Sequence, residues 1–313
     1  MKYGKVNGIE RPVSRAVMGT MIFGPEGAAK ENTYTLLDEF LKLGGNCIDT
    51  AIVYGGGNSE KAIGLWLADR GNRDKVILMD KGCHPTKGIE PRVTPQAVRE
   101  DVGINLSRLN TPYLDVWMFH RDDPNVPVGP LVEEMNALKA EGKVRVFGAS
   151  NWSHTRIEAF NEYADKKNLQ GFALSSPHLS LAAAKEPMWT GCVMLDAAAR
   201  AWHEKKQFPL FAWSSQARGF FSGRFGPDKR DGDADVIRVY YNEENFERLR
   251  RAEELGKKKG VSAVQIVFAY VMQQPFPTFC LIGPANLGEL HSSIDALELA
   301  LTPDESRWLN LEK

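Results

Sequence analysis

Four side chains that can hold or move a proton fall where apolar, strand-like runs end. Asp49 closes "NCID", Lys81 closes "KVILMDK" and His120 closes "LDVWMFH"; Tyr54 follows Asp49 in "IDTAIVYGGG", directly before three glycines. Taken singly, each reads as a solvated turn residue or, for Tyr54, as a loop aromatic packed on a rim. Brought together, they suit proton exchange with a carbonyl oxygen. A phenol has a pKa of about 10, too high for easy exchange at neutral pH, and a neighbouring ammonium favours the phenolate. Lys81 is expected to supply that ammonium and so lower the pKa of Tyr54. Asp49 would keep Lys81 charged and oriented, and His120 would donate a hydrogen bond to the substrate oxygen. Tyr54 would then give a proton in reduction and take one in oxidation.

Side chains this far apart in the chain meet only if the runs that carry them lie side by side. From residue 14 onward, short β-rich runs alternate with segments of helical period. The run Ala16 to Met18 leads into "ENTYTLLDEFLKLGG", where Tyr34, Leu37 and Leu41 share one stripe and Gly44 and Gly45 stop the helix. "NCID" leads to a helix from about Ser59. "KVILMDK" leads to one with Thr94 as N-cap and Pro95 at the first helical position. "LDVWMFH", "KVRVFGAS", "GFALSS", "FPLFAWSS" and "PTFCLIG" continue the series, with helices expected after each, including one over 191–205 and a last one near Asn286. Eight such units in one chain of this length predict a (β/α)8 TIM barrel over residues 1–313, with an N-terminal β-hairpin turning at Asn7-Gly8 and long loops at the C-terminal face. The stretch from about 214 to 242 is the longest of these loops, and an additional helix is expected over about 262–274.

Composition is that of an ordinary globular protein: 313 residues, 43% hydrophobic, with 39 Lys plus Arg against 40 Asp plus Glu. A net charge of -1 gives no global attraction to nucleic acid or to an anionic membrane, so neither is an expected partner. The N-terminus has no apolar signal core and no stretch is long enough to span a bilayer, which makes the cytoplasm the expected location. Cys47, Cys83, Cys192 and Cys280 are scattered without metal-ligand spacing and read as buried, reduced thiols; no metal is expected.

The segments "GGNCIDTAIVYGGGNSEKAIG", "LDVWMFH", "GKVRVFGASNW", "FAWSSQARGFFSGRF" and "LIGPANLGELHSSIDAL" together resemble the successive signatures of the aldo-keto reductase superfamily over nearly the whole chain. The resemblance implies an NAD(P)(H)-dependent oxidoreductase that interconverts a carbonyl and an alcohol, with a tetrad mapping onto Asp49, Tyr54, Lys81 and His120. It implies cofactor contacts too: Gly19, Thr20 and Asp49 near the first strands, Ser150 and Asn151 at the carboxamide, and Trp213 stacked on the nicotinamide ring. Ser214, Gln216, Gly219, Phe220 and Phe221 would wrap the pyrophosphate, and Gly283, Asn286, Glu289 and Ser293 the adenosine end. Ser176 stands where many members have a glutamine.

A second departure is the loop "GPANLGEL", which lacks the Arg or Lys that often holds the cofactor's 2′-phosphate. It shifts the expectation toward NAD(H) or dual use, unless Arg224, Lys229 or Arg230 folds over to supply the cation. For the substrate, Trp152, Arg121, His84 and Trp189 follow strand ends. Indoles beside charged groups suggest a polar, carbohydrate-like carbonyl compound. A nucleotide-binding regulatory subunit with little turnover is the rival from another class; a metal-dependent hydrolase lacks a convincing ligand set. Monomer and homo-oligomer are both compatible with the sequence.

Overall fold

In the computed structural model, which describes residues 1–85 and 91–312, a short hairpin precedes a closed parallel barrel. The hairpin pairs β1 (Tyr3–Gly4) with β2 (Val13–Ser14), and its turn contains Gly8 at φ 82°, the left-handed region that glycine enters without cost. The barrel strands are β3 (Ala16–Gly19), β4 (Cys47–Asp49), β5 (Ile77–Gly82), β6 (Leu114–Phe119), β7 (Val144–Ser150), β8 (Leu174–Ser176), β9 (Leu210–Ala212) and β10 (Thr278–Ile282). Each pairs in parallel with the next, and β10 closes on β3. The expected alternation and the expected eight strands are both observed.

Inside the barrel, Val17, Ile77, Met79, Val116, Met118 and Val146 point inward with Phe211 and Phe279, whose rings stack at 4.4 Å. Val6 and Val13 of the hairpin join this cluster. A Cβ at Gly4 would stand 2.7 Å from the Phe279 ring, so glycine lets the hairpin close the barrel at its N-terminal end. Chemistry is thereby confined to the opposite face, where the strands end.

Helices α1 (Gly27–Lys42), α2 (Asn58–Arg70), α3 (Pro95–Arg108), α4 (Val128–Ala140) and α5 (His154–Lys166) follow β3 to β7 in turn. Thr94 caps α3 by accepting from Ala97 N at 3.1 Å, as its position before Pro95 predicts. After β8, α6 runs Ala197–Lys206 rather than from 191. Val193 N donates to Asn151 Oδ1 and Leu195 N to the His178 carbonyl, so this stretch is spent on the cavity wall and cannot begin a helix. The long connection after β9 contains α7 (Ala234–Tyr240), capped by Asp233, which sequence periodicity did not reveal. Next come α8 (Glu243–Lys259), α9 (Ala263–Met272), α10 (Leu287–Asp295) and α11 (Pro303–Leu309), the last opened by a Thr302–Glu305 capping box.

Candidate active site

Asp49 and Lys81 lie at or near the ends of β4 and β5, and His120 directly follows β6, so barrel geometry brings all three to one mouth. Lys81 Nζ makes three contacts: 2.7 Å to Asp49 Oδ2, 2.8 Å to the Thr50 carbonyl and 3.4 Å to Tyr54 Oη. An ammonium has three protons, and each is directed. Burial alone would lower the pKa of Lys81, but the charges of Asp49 and Tyr54 outweigh it and hold the amine above its ordinary value. For Tyr54 the balance runs against expectation. Burial pushes the phenol upward by more than Lys81 pulls it down, so its pKa is raised rather than lowered. His120 is driven well below the usual imidazole value by burial and then by the nearby charges of Lys81 and Arg121, which makes it neutral at physiological pH.

Three glycines answer how Tyr54 is presented. Gly55, Gly56 and Gly57 take φ of 56°, 63° and 93°, a left-handed run that only glycine sustains, turning the chain from the Tyr54 loop into α2. At Gly57 a Cβ would also stand 2.5 Å from the Arg108 guanidinium. Arg108 Nη1 donates to Glu60 Oε2 at 2.7 Å and to the Ile52 carbonyl at 2.9 Å, tying the loop to α2. Ser59, at the start of α2, holds Thr20 Oγ1 at 2.7 Å and Thr50 Oγ1 at 3.0 Å, and Thr20 Oγ1 donates to the Asp49 carbonyl. Thr50, Ser59, Glu60 and Arg108 were not singled out from the sequence. The signal available was a Ser-Glu pair opening a helix on its barrel-facing side.

These groups open into a cavity of about 1440 Å³, well beyond the few hundred Å³ of a pocket for a small substrate. Gly19, Thr20, Asp49, Ser150, Asn151, Trp213, Ser214, Gln216, Gly219, Gly283, Asn286, Glu289 and Ser293 all line it, as do His84, Arg121 and Trp189. Ser176, Phe220, Phe221 and Trp152 do not. Ser176 is fully buried with its Oγ unpartnered among the described residues. Phe220 and Phe221 pack edge to face at 5.1 Å, and Phe220 continues into a cluster with Phe225 and Tyr240. Trp152 is wedged behind the wall against Phe119 and Phe172, with Nε1 donating to the Arg121 carbonyl at 3.0 Å.

Asn151 lines the cavity, but its amide is committed. Oδ1 accepts from Val193 N and from Trp213 Nε1 at 3.2 Å, while Nδ2 donates to the His120 carbonyl and to Ser150 Oγ, both at 3.1 Å. It positions Trp213 and the His120 backbone. At the other end, Ser214, Ala217 and Arg218 adopt φ near 50° and Gly219 φ 81°, tight turns closed by Ala217 N donating to the Ser214 carbonyl and Gly219 N to the Gln216 carbonyl. Gln216 Nε2 donates to Ser293 Oγ at 3.0 Å, and Asn286 caps α10 through Glu289 N. Arg224 lines the same cavity. The mouth itself is more apolar than the sequence suggested, since Met21, Ile22, Val53 and Trp189 are all exposed there.

An indole, several hydroxyl and amide side chains and the N-terminus of α10 line one cavity large enough for a dinucleotide, and the acid–base cluster lies beside the indole, linked to it through Asn151. A barrel with these features at its strand ends has the layout of a barrel enzyme. The profile of the Aldo/keto reductase family matches residues 15–310. The chain belongs to that family and is an oxidoreductase of it. It is 29% identical to a norsolorinic acid reductase of Emericella nidulans, covering 94% of this chain and 76% of the relative. It is 27% identical to an aryl-alcohol dehydrogenase [NADP(+)] of Phanerodontia chrysosporium, covering 95% and 82%. Among solved structures it resembles the glycerol dehydrogenase of Gluconobacter oxydans, with TM-score 0.79, 22% identity and coverage of 98% and 93%. It also resembles an aldo/keto reductase of Klebsiella pneumoniae in complex with NADP and acetate, with TM-score 0.73, 23% identity and coverage of 96% and 91%. At such identities the structural likeness speaks for the fold. Among the described residues, no helix is long and apolar enough to cross a membrane and no cluster of His, Cys, Asp or Glu forms a metal-ligand set.

Proposed function

We propose that this protein reduces an aldehyde or ketone to an alcohol, and runs the reverse reaction, with Tyr54 as general acid and base. The observation that carries the reading is the ammonium of Lys81, which spends its three protons on Asp49, Thr50 and Tyr54 at the wall of a dinucleotide-sized cavity. A bound nicotinamide cofactor supplies or accepts the hydride at the carbonyl carbon. Trp213, fixed by Asn151, offers the face on which its ring would lie, and Ser150 a hydroxyl that would meet its carboxamide.

As the carbonyl π bond opens, Tyr54 gives its proton to the oxygen and Lys81 stabilises the phenolate left behind. With burial holding its phenol above the ordinary value, Tyr54 is protonated at neutral pH, as reduction requires. A neutral His120 keeps one N–H. With Nδ1 buried and without an acceptor among the described residues, that proton belongs on Nε2, where it can donate to the substrate oxygen.

The cofactor reading is NAD(P)H with the phosphorylated form accommodated. The lean toward NAD(H) rested on a cation-free 283–290 loop. Arg224, from the long loop, lines the same cavity and is the cation available to a 2′-phosphate, while Lys229 and Arg230 are turned to Gly223 and Tyr241. The exposed Met21, Ile22 and Val53 support a substrate with an apolar portion over the carbohydrate-like one expected from Trp152 and its neighbours. The similarity to an aryl-alcohol dehydrogenase agrees with this choice. Consumption of NADPH and NADH with a panel of aliphatic, aromatic and sugar-derived aldehydes tests the proposal. Negligible turnover throughout, with cofactor still bound, would favour a nucleotide sensor, a reading kept alive by the similarity to a putative potassium channel β subunit of Schizosaccharomyces pombe.

A further inference from the structure

Arg121 directly follows His120 and is 5% exposed, yet no carboxylate among the described residues pairs with it. The two residues that follow it are acidic, but both are engaged elsewhere. Arg156 Nε lies 3.2 Å from Asp122 Oδ2, and Arg156 Nη2 binds the Asp123 carbonyl. Asp123 Oδ1 is taken by Asn125. Arg121 is left to turn inward. Its Nη1 donates to the His120 carbonyl at 2.8 Å and its Nε to the Thr190 carbonyl at 3.1 Å, while its methylenes pass under Gly191, where a Cβ would come within 3.1 Å.

Both bonds go to neutral carbonyls, so the charge is held in place and not neutralised. The side chain lines the cavity beside His84 and His120, and Nη2 has no partner among the described residues. Burying a guanidinium without a counter-charge is costly, and the fork of an arginine matches a carboxylate or a phosphate with two parallel hydrogen bonds; a carboxylate is the smaller anion for a site beside His120. The charge is also near enough to act on both Tyr54 and His120, which places an anion bound to it close to the reacting carbonyl.

We propose that Arg121 is a carboxylate-binding residue, and that the substrate of this site is an oxo acid whose carboxylate pairs with Arg121 while its carbonyl meets Tyr54 and His120. This rests on the reductase reading above and names its substrate class. The apolar side chains at the mouth, Met21, Ile22 and Val53, would cover the hydrocarbon part.

The test compares 4-oxobutanoate with 4-oxobutanamide, which differ in charge but hardly in shape, and measures kcat/KM in the wild type, Arg121→Gln and Arg121→Lys. The wild type should favour the acid by about tenfold or more. Arg121→Gln should bring that ratio close to one, and Arg121→Lys should keep part of it. If Arg121 only staples the 190–191 loop, both substitutions lower both substrates alike and leave the ratio unchanged, which overturns the proposal; so does a wild-type ratio near one. A second arm needs no turnover: binding of phenylacetate against phenylacetamide to the cofactor-loaded protein, read by tryptophan fluorescence. Preference for phenylacetate that vanishes in Arg121→Gln supports the carboxylate site even if neither aldehyde is reduced, an outcome that would count against the reductase reading alone. Equal binding of the two overturns the site.

Discussion

The ammonium of Lys81 stands 3.4 Å from the phenol oxygen of Tyr54, the longest of its three contacts and the only one to a group that can release a proton. Lys81 is thus anchored by Asp49 and Thr50 and leans on Tyr54 more weakly. That ordering explains why burial wins and the phenol stays above its ordinary pKa. Carbonyl reduction needs this proton in place; alcohol oxidation needs it gone.

Tyr54→Phe keeps the ring and deletes the proton. Turnover should fall by about 10²–10⁴-fold, the range typical of general acid catalysis, with the cofactor dissociation constant little changed. Steady-state rates and fluorescence titration check both, and activity within a few-fold of the wild type would remove Tyr54 from the mechanism.

The two directions should differ in pH dependence. Reduction needs protonated Tyr54, whose pKa is raised, so its rate should stay level through neutral pH and decline only in alkali. Alcohol oxidation needs the phenolate and should climb with pH over the same alkaline range. Parallel profiles in the two directions would contradict the assignment of the raised group to the proton transfer.

Arg224→Gln removes a cation that lines the cavity and is proposed to meet the 2′-phosphate. Because a hydrogen bond to a charged group contributes about 1.5–3 kcal/mol, NADPH affinity should drop by about tenfold or more while NADH affinity hardly moves. Isothermal titration with both cofactors reads the difference directly. An equal loss for both would mean that Arg224 shapes the loop and does not meet the 2′-phosphate.

Arg108→Met leaves Glu60, wholly buried, without its cation, and frees the Ile52 carbonyl that anchors the Tyr54 loop. Breaking a buried pair in this way costs about 3–5 kcal/mol, which denaturant unfolding would detect. Unchanged stability would show that Asn105 alone can hold Glu60.

Mild acid should destabilise the fold through two buried imidazoles. Burial lowers His178 and His203 to about 4 each, against an ordinary value of about 6.5. The unfolded chain therefore takes up protons first as pH falls. The stabilisation is complete above about pH 6.5 and is lost as pH drops through about 4, by roughly 3 kcal/mol per group. Urea unfolding at pH 7 and pH 5 should show the decline, and His203→Gln should make it shallower. Identical slopes for the two proteins would exclude His203 as a contributor.

The alternation of strand and helix, the eight strands and the meeting of Asp49, Tyr54, Lys81 and His120 were all readable in advance. Periodicity and chain breaks are local properties, and a closed parallel barrel makes successive strand ends neighbours, so position along the chain translates into position in space. The left-handed glycines after Tyr54 were visible for the same reason. Other features depended on sums over surroundings that no local pattern encodes. Whether Tyr54 rises or falls in pKa is a contest between burial and one charge. Whether Arg121 turns to Asp122 or into the cavity was settled by Arg156, far along the chain, which claims that carboxylate first. Trp152 went behind the wall because Phe119, Phe160 and Phe172, from three other segments, build an apolar niche for it. Arg224 lines the cavity because left-handed residues at 217–219 turn its loop, with the guanidinium against Gly219. Each outcome is a competition among partners distant in sequence, and only packing in three dimensions selects the winner.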